Sequence, residues 1–185
     1  MRWVRNTFIC AVILGVLIYF IYPRRFQITA RMWHLKHSNV MKLRNWEFSV
    51  PRDWYVDDEP LNAVEFRDSG FASPGRPLGG FSSIDVSYSH EQSINLDYAR
   101  MAERQRFAKW GVSTIEENTL HYGSETAVCV GGDFLQTIAH VPFPNWVSMD
   151  CSTSDGLHLM FNGFRADLPS FYEVVSQIRK DNDAR

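Results

Sequence analysis

The sequence predicts an α+β fold, an antiparallel sheet with two packed helices, preceded by one N-terminal transmembrane helix. Three observations predict it. The chain of 185 residues begins with an uncharged apolar run, continues with short segments of alternating apolar and polar residues, and contains two segments with helical periodicity. Alternation over short runs indicates half-buried strands, and Gly and Pro turns between them favour antiparallel pairing. Helices that accompany such strands pack on the sheet.

The apolar run at residues 7–22 has no charged side chain. As a helix it is about 24 Å long, and extension back to Trp3 gives about 30 Å, the thickness of the hydrocarbon core. Trp3, Tyr19 and Tyr22 stand where interfacial aromatic residues are expected. We therefore predict that residues 1–25 are a membrane anchor.

Two alternatives to a permanent anchor are a cleaved signal peptide and a buried core helix. Residues 28–30 are the nearest cleavage site for a signal peptide, but Arg24 and Arg25 separate them from the apolar run. A core helix of a soluble protein needs a polar face, which the run lacks.

The orientation in the membrane is contested by two arguments. Basic residues on the carboxyl side of the run favour a cytoplasmic domain under the positive-inside rule; they are Arg24, Arg25, Arg31, Lys36 and Lys42. A short amino terminus with Arg2 and Arg5 favours the opposite orientation, as does the cysteine content. We expect the domain to be extracytoplasmic, in the cell envelope.

Residues 26–42 are predicted to be a membrane-proximal connector, with one helical turn at 31–37, and residues 43–185 to be the α+β domain. Residues 46–50 alternate between apolar and polar side chains and end at Pro51. The further predicted strands are 62–66, 82–89, 113–120, 126–134, 136–141, 147–152 and 157–164. Residues 69–80, rich in Gly and Pro, are predicted to be a loop.

The two domain helices are predicted at 95–110, with Gly111 at the carboxyl cap, and at 168–180. The second helix carries one apolar stripe, formed by Leu168, Phe171, Tyr172, Val175 and Ile178. Asp167 is suited to cap it, and Ser170 with Glu173 has capping-box spacing.

Residues 48–54, F-S-V-P-R-D-W, resemble the opening of PsbP-like domains, a superfamily that includes a photosystem extrinsic subunit and bacterial envelope lipoproteins. The layout of residues 46–180 is similar too: early strands, a helix, a meander and a terminal amphipathic helix. The resemblance implies an α-β-α sandwich with an accessory or scaffolding role, and it supplies no catalytic residues. The uncleaved helix here departs from the lipid anchor or transit peptide of that family.

Cys129 and Cys151 lie in two predicted strands on either side of a hairpin-like stretch, and Cys10 lies in the apolar run. In an oxidising compartment the first two can form a disulfide, which closes a loop of about 20 residues and contributes roughly 3 kcal/mol. The alternative is two buried thiols. Neither cysteine is marked as a nucleophile.

The titratable residues show no metal or catalytic pattern. His34 and His37 share a helical face without further ligands at metal spacing, so interfacial polar residues explain them. Whether His121, His140 and His158 converge cannot be read from the sequence. Residues 57–59 are interpreted as a solvated acidic turn; the remaining carboxylates of interest are single, at Asp85, Asp133, Asp150 and Asp155. We expect no cofactor, no metal and no catalytic residue.

The partner surface is predicted on the 69–80 loop and its edge, where Phe71, Leu78 and Phe81 can contact another protein. A net charge of −2 without a basic face argues against nucleic acid.

These observations favour a noncatalytic, membrane-anchored envelope protein that acts as an accessory or protein-interaction domain, or as a subunit of a membrane complex. One alternative is a small-ligand-binding module of the same fold, with a site between sheet and helix. A second is an enzyme, which requires one of the three central histidines to meet a carboxylate or Ser in a cleft.

Overall fold

The computed structural model describes residues 24–58, 63–68, 82–88, 94–112, 114–122, 125–133, 137–138, 141–142 and 146–180, with single positions between 6 and 21. The helices are α1 Arg25–His37, α2 Leu96–Lys109 and α3 Leu168–Ser176. The strands are β1 Val40–Leu43, β2 Trp46–Ser49, β3 Trp54–Asp58, β4 Ala63–Asp68, β5 Ser83–Tyr88, β6 Thr114–Tyr122, β7 Glu125–Asp133, β8 Thr137–Ile138, β9 Val141–Pro142, β10 Trp146–Thr153, β11 Leu157–Phe164 and β12 Arg179–Lys180.

Seven of the strands form one sheet in the order β3-β4-β5-β11-β10-β7-β6. Each neighbouring pair is antiparallel. Two meanders, β3-β4-β5 and the strands from β6 onward, meet where β5 pairs with β11. A smaller antiparallel sheet has the order β1-β2-β12. The predicted α+β class with antiparallel strands is therefore confirmed.

Helices cover both faces of the large sheet. Ala127 and Cys129 of β7 belong to the main core, which includes Phe171 of α3. Val128 and Val130 of the same strand pack in a second cluster with Phe107 of α2. Because successive side chains of a strand point to opposite faces, α2 and α3 lie on opposite sides of the sheet.

Helix α2 agrees with its sequence signals. The side chain of Asn95 accepts hydrogen bonds from the backbone N–H groups of Asp97 and Tyr98, at 3.0 and 3.2 Å. Gly111 follows the helix with φ of 76°, the left-handed conformation that glycine adopts without strain.

Helix α3 ends at Ser176, earlier than the predicted end at residue 180. Arg179 and Lys180 leave the helix and pair with β2 as β12. The predicted cap is also wrong: Asp167 makes no side-chain hydrogen bond to the start of the helix. Its carboxylate instead accepts a hydrogen bond from Ser82 Oγ at 2.5 Å.

The segment expected to be a connector is largely helix α1, thirteen residues long rather than one turn. Ala30 and Trp33 on α1 are buried in the main core, and the helix contacts β3. Apolar residues lie on two opposite sides of the helix, a buried side with Ala30 and Trp33 and an exposed side with Met32 and Leu35. The sequence therefore lacks the single apolar face that predicts an amphipathic helix.

The acidic turn predicted at 57–59 is a strand up to Asp58. Asp57 lies 2.8 Å from Arg67 of β4 and forms an ion pair between strands, while it stays exposed as predicted; Glu59 lies outside the described residues. Trp54, Tyr55 and Val56 are residues that favour strands, and they override the acidic signal.

Two predicted segments fall largely or wholly outside the described residues. They are the anchor at 1–25 and the loop with Phe71, Leu78 and Phe81. None of the helices that the structure describes has both the length and the apolar character that a membrane crossing requires. The anchor and the loop contacts therefore stay predictions.

Candidate functional site

Four charged side chains meet between α2 and the large sheet: Glu103, Arg106, Asp150 and His158. We call them the buried charge cluster. The side chain of Asp150 has no exposed surface, and Nη2 of Arg106 donates a hydrogen bond to its Oδ2. Nη2 of Arg106 also lies 2.5 Å from Oε2 of Glu103. Nε2 of His158 lies 2.5 Å from Oδ1 of Asp150.

The fold brings these residues together by simple periodicities. Glu103 and Arg106 are three residues apart, so they share a face of α2. In the pairing of β10 with β11, Ser152 stands opposite His158, and Asp150 is two residues from Ser152. Asp150 and His158 are thus diagonal neighbours on the face that α2 covers.

Several atoms of the cluster have no regular hydrogen bond among the described residues. They are Oε2 of Glu103, Nε of Arg106 and Oδ1 of Asp150, all inaccessible to solvent. Two of these oxygens nevertheless lie 2.5 Å from a nitrogen. We therefore treat these short approaches as charge pairs whose angles are unsuited to hydrogen bonding. Their energy depends on the charge states rather than on directional bonds.

Burial and the neighbouring charges set the proton affinity of the cluster. Burial by itself lowers the pKa of His158, but the contact with Asp150 and the charge of Glu103 outweigh it and raise the pKa above 6.5. Burial, aided by the charge of Asp150, raises the pKa of Glu103 against the opposing effect of Arg106. With His158 protonated, two cations balance two carboxylates.

Glu103, Asp150 and His158 offer three ligand atoms within 4.8 Å of one another. These residue types suit Zn²⁺. Two ligand atoms on a tetrahedral zinc ion are about 3.4 Å apart, given bonds of about 2.1 Å. The separation of 2.5 Å between His158 and Asp150 is shorter, and Arg106 already supplies a cation. The arrangement fits charge pairs among the protein's own side chains better than a metal ion.

Arg106 also connects the cluster to the protein surface. Its guanidinium lies 4.9 Å from the ring centre of Trp110 and 5.2 Å from that of Phe107, within cation–π range. Trp110 is half exposed, and about a third of the His158 side chain is exposed. Solvent therefore reaches His158, whereas Asp150 lies beneath it.

A concave region, which we call the α1 cleft, lies beside helix α1. It has a volume of about 660 Å³ and is lined by Arg31, His34, Leu35, Asn39, Arg52 and Asp53. Nε2 of His34 lies 2.9 Å from the carbonyl oxygen of Trp54 and 3.1 Å from that of Pro51. Nδ1 of His34 lies 2.6 Å from Oδ1 of Asn39. His34, predicted to be an interfacial polar residue, thus connects α1 to the start of β3.

The predicted disulfide between Cys129 and Cys151 is present. The two cysteines stand directly opposite each other on β7 and β10, and both are fully buried in the main core. Cys10 is a free, exposed thiol.

The other singled-out histidines and carboxylates that the structure describes do not join the cluster. His121 contacts Oγ1 of Thr126 at 3.3 Å. His37 stacks on Trp33 with ring centres 4.8 Å apart. Asp133 pairs with Arg165 at 2.8 Å. His140 lies outside the described residues. The enzyme alternative requires a central histidine that meets a carboxylate or Ser in a cleft. His158 meets the carboxylate of Asp150.

Sequence reasoning missed Glu103 and Arg106 and treated Asp150 as a single carboxylate. The sequence signal points the other way, because Asp150 alternates with Ser148 and Ser152 on the polar face of its strand, a pattern typical of a solvated face. Only a helix that covers this face buries the carboxylate and requires a partner cation for it. Which helix covers it depends on the tertiary fold.

Comparisons with known proteins do not assign a family. No protein-family model matches the chain, and no curated protein matches it. A crystal structure at 1.50 Å of a protein from Bacteroides thetaiotaomicron VPI-5482 is similar, with 12% sequence identity and a TM-score of 0.47. The likeness covers 76% of this chain and 47% of that chain. At that TM-score it carries no argument about function.

Proposed function

We propose that this chain is a single-pass membrane-anchored envelope protein whose α+β domain is a noncatalytic accessory domain that binds another membrane or envelope protein. The observation that carries the proposal is the exposure of apolar side chains near the amino terminus. Ile9, Val12, Val16 and Ile21 are each between 47% and 49% exposed. The segment around them has no charged residue from 7 to 22, so a lipid environment is its favourable surrounding.

The resemblance to PsbP-like domains supports the accessory role. The helix–sheet–helix layers are the arrangement that the resemblance implies, and residues 48–49 of its motif lie in β2. Unrelated α+β domains share these layers, so the family remains a proposal.

The disulfide supports an extracytoplasmic domain. Cys129 and Cys151 are paired across adjacent strands, and such pairs persist in oxidising compartments. Arg106 supports a structural role for the cluster, because its guanidinium pairs with one oxygen of Glu103 and one of Asp150 and so compensates their buried charge.

Extraction and thiol labelling of intact membranes test the anchor and its orientation together. We expect the chain to stay in the membrane under alkaline carbonate, and Cys129 and Cys151 to react with a membrane-impermeant alkylating reagent only after reduction and unfolding. Release by carbonate would overturn the anchor. Free thiols in freshly denatured membranes would overturn the extracytoplasmic assignment.

The partner surface is tested by a photoreactive amino acid in place of Phe71, with a second at Tyr98 on α2 as control. We expect a discrete adduct with a membrane protein from position 71. Equal or absent adducts at both positions would contradict a partner on the loop.

The α1 cleft favours a second candidate function, the small-ligand-binding module. Its volume of about 660 Å³ is within the usual range of ligand sites, and Arg31 and Arg52 favour an anionic ligand. Inorganic phosphate at millimolar concentration should then raise the melting temperature, and Arg52→Gln should abolish the increase. No change with phosphate would remove this candidate.

A further inference from the structure

We propose that helix α1 lies on the membrane surface, with Ile28, Met32 and Leu35 inserted at the level of the headgroups of an anionic phospholipid bilayer. We call these three side chains the α1 stripe. The inference rests on the proposed anchor, and it assigns a second, independent contact between the folded domain and the membrane.

The α1 stripe is the side of the helix opposite the core. Ala30 and Trp33 are buried against the domain. Ile28, Met32 and Leu35 follow at i, i+4 and i+7, which places them on one side of the helix. They are 45%, 50% and 81% exposed, respectively. Apolar side chains aligned in this way on a surface helix need a covering surface.

Basic residues border the stripe on both sides. At 100° per residue, Arg24 and Arg31 fall on one side of the stripe, and Arg25 and Lys36 fall on the other. No Asp or Glu occurs between Pro23 and Trp46. Apolar side chains with flanking Lys and Arg are the pattern of a helix in the interfacial plane, because the long basic side chains reach the phosphates.

The place of α1 in the chain brings it to the bilayer. Arg25 begins the helix three residues after Tyr22, the last residue of the apolar run, so their Cα atoms are at most about 11 Å apart. An anchor that holds the helix at this distance keeps it at a high effective concentration at the bilayer. A stripe that is too small to bind a membrane by itself can then stay docked on it.

The α1 cleft extends the basic surface from the helix onto the domain. Arg31 and Leu35 line it together with Arg52, which precedes β3. Asp53 is the acidic residue among its lining side chains, so the two arginines leave the cleft with a positive balance. This balance favours a lipid phosphate next to Leu35, the most exposed member of the stripe.

A membrane fits the stripe better than a protein partner does. A stable protein interface covers about 800 Å² on each partner, and charged residues are depleted at its centre. Three side chains bordered closely by four cations offer neither the area nor the depletion. An anionic lipid surface needs only shallow insertion and rewards each nearby cation.

The test uses the full chain with Cys10→Ser, reconstituted in nanodiscs of equimolar phosphatidylcholine and phosphatidylglycerol. Leu35→Cys carries an environment-sensitive fluorophore, and Tyr98→Cys on α2, where the native side chain is 66% exposed, serves as the matched control. We expect lipids with a quencher near the headgroup to quench the label at 35 and not at 98. Equal water exposure at both positions would overturn the proposal.

The charge requirement is tested with Lys36→Gln against Lys109→Gln, an exposed basic residue at the end of α2. Loss of one basic residue near an anionic surface should lower the docking equilibrium about fivefold. We expect this decrease for position 36 alone, and only with phosphatidylglycerol present. Docking that is independent of phosphatidylglycerol would overturn the role of the anionic headgroups.

The outcomes separate this inference from the anchor. A chain that resists carbonate extraction but leaves position 35 exposed refutes the docking and keeps the anchor. A chain that carbonate releases refutes the anchor. Protection of position 35 in native membranes but not in pure lipid nanodiscs means that a protein covers the stripe, and this overturns the proposal.

Discussion

At the scale of single residues, the buried carboxylate of Asp150 is the group that depends most on the charges of its neighbours. Its side chain has no exposed surface, so its charge is not stabilised by water. Arg106 and His158 provide the compensating charge from α2 and β11. The cost of burying the cluster is offset only while its partners remain in place.

Arg106→Leu should therefore destabilise the protein strongly. Loss of one partner of a buried ion pair costs roughly 3–5 kcal/mol, because Glu103 and Asp150 then have only His158 to balance their charge. Urea unfolding measures this change. Arg104→Leu is the matched control, since Arg104 is 65% exposed and pairs with Glu117 at 2.8 Å, a surface pair worth about 0–1 kcal/mol. Equal losses in both variants would contradict the buried cluster.

At the scale of elements, the disulfide joins the neighbouring strands β7 and β10 of the large sheet. Cys129 and Cys151 are 22 residues apart in sequence. The covalent link restricts the unfolded chain more than the folded one.

The double substitution Cys129→Ala and Cys151→Ala should lower the free energy of unfolding by about 3 kcal/mol. The matched control is Cys10→Ser, which should leave stability unchanged because Cys10 is a free, exposed thiol. Chemical unfolding under non-reducing conditions measures both. A loss below about 1 kcal/mol would mean that the bridge contributes little to the folded domain.

Helix α1 depends on His34 for its attachment to the start of β3. His34→Ala removes the hydrogen bonds between α1 and the carbonyl oxygens of Pro51 and Trp54, while the Pro51 oxygen keeps the one donated by the backbone N–H of Trp54. We expect a loss of about 1–3 kcal/mol and faster proteolysis within α1. Lys109→Ala, which changes an exposed residue at the end of α2 outside the proposed docking surface, should have almost no effect. Similar proteolysis of both variants would contradict the role of His34.

At the scale of the whole molecule, Asp85, Glu103 and His158 all bind protons more tightly in the folded chain than in the unfolded chain. Burial, with a contribution from the charge of Glu65, raises the pKa of Asp85 from 3.8 to about 6. The pKa values of Glu103 and His158 are raised as well. All three shifts have the same sign, so their contributions to the pH dependence of stability add rather than cancel.

Stability should therefore fall as the pH rises. The raised pKa of Asp85 stabilises the folded state fully below pH 3.8, and this stabilisation is lost by about pH 6. The raised pKa of His158 stabilises the folded state fully below pH 6.5, and this stabilisation is lost as the pH rises through the pKa of the folded state. Urea midpoints over this range measure the effect. Asp85→Asn should flatten the lower window and His158→Gln the upper one. Midpoints that rise with pH would refute the proton linkage.

The strands and helices could be predicted to a large extent because periodicity is local. The alternation at β2, β5 and β11 and the capping signals around α2 come from neighbouring residues alone. Helix α1 and strand β12 could not be predicted. The helical position of Trp33 is explained only by the core against which it packs. Lys180 lies outside the helix only because it pairs with β2 as a strand.

The sequence by itself determined the α+β class, most strand positions and helix α2, since each depends on spacing along the chain, and it left the two strand cysteines open between a disulfide and two buried thiols. Only the tertiary structure decided that β11 lies between β5 and β10. That placement sets His158 beside Asp150 and, with α2 above, completes the cluster with Arg106. The physical reason is that a buried charge is compensated through space, between residues far apart in the chain.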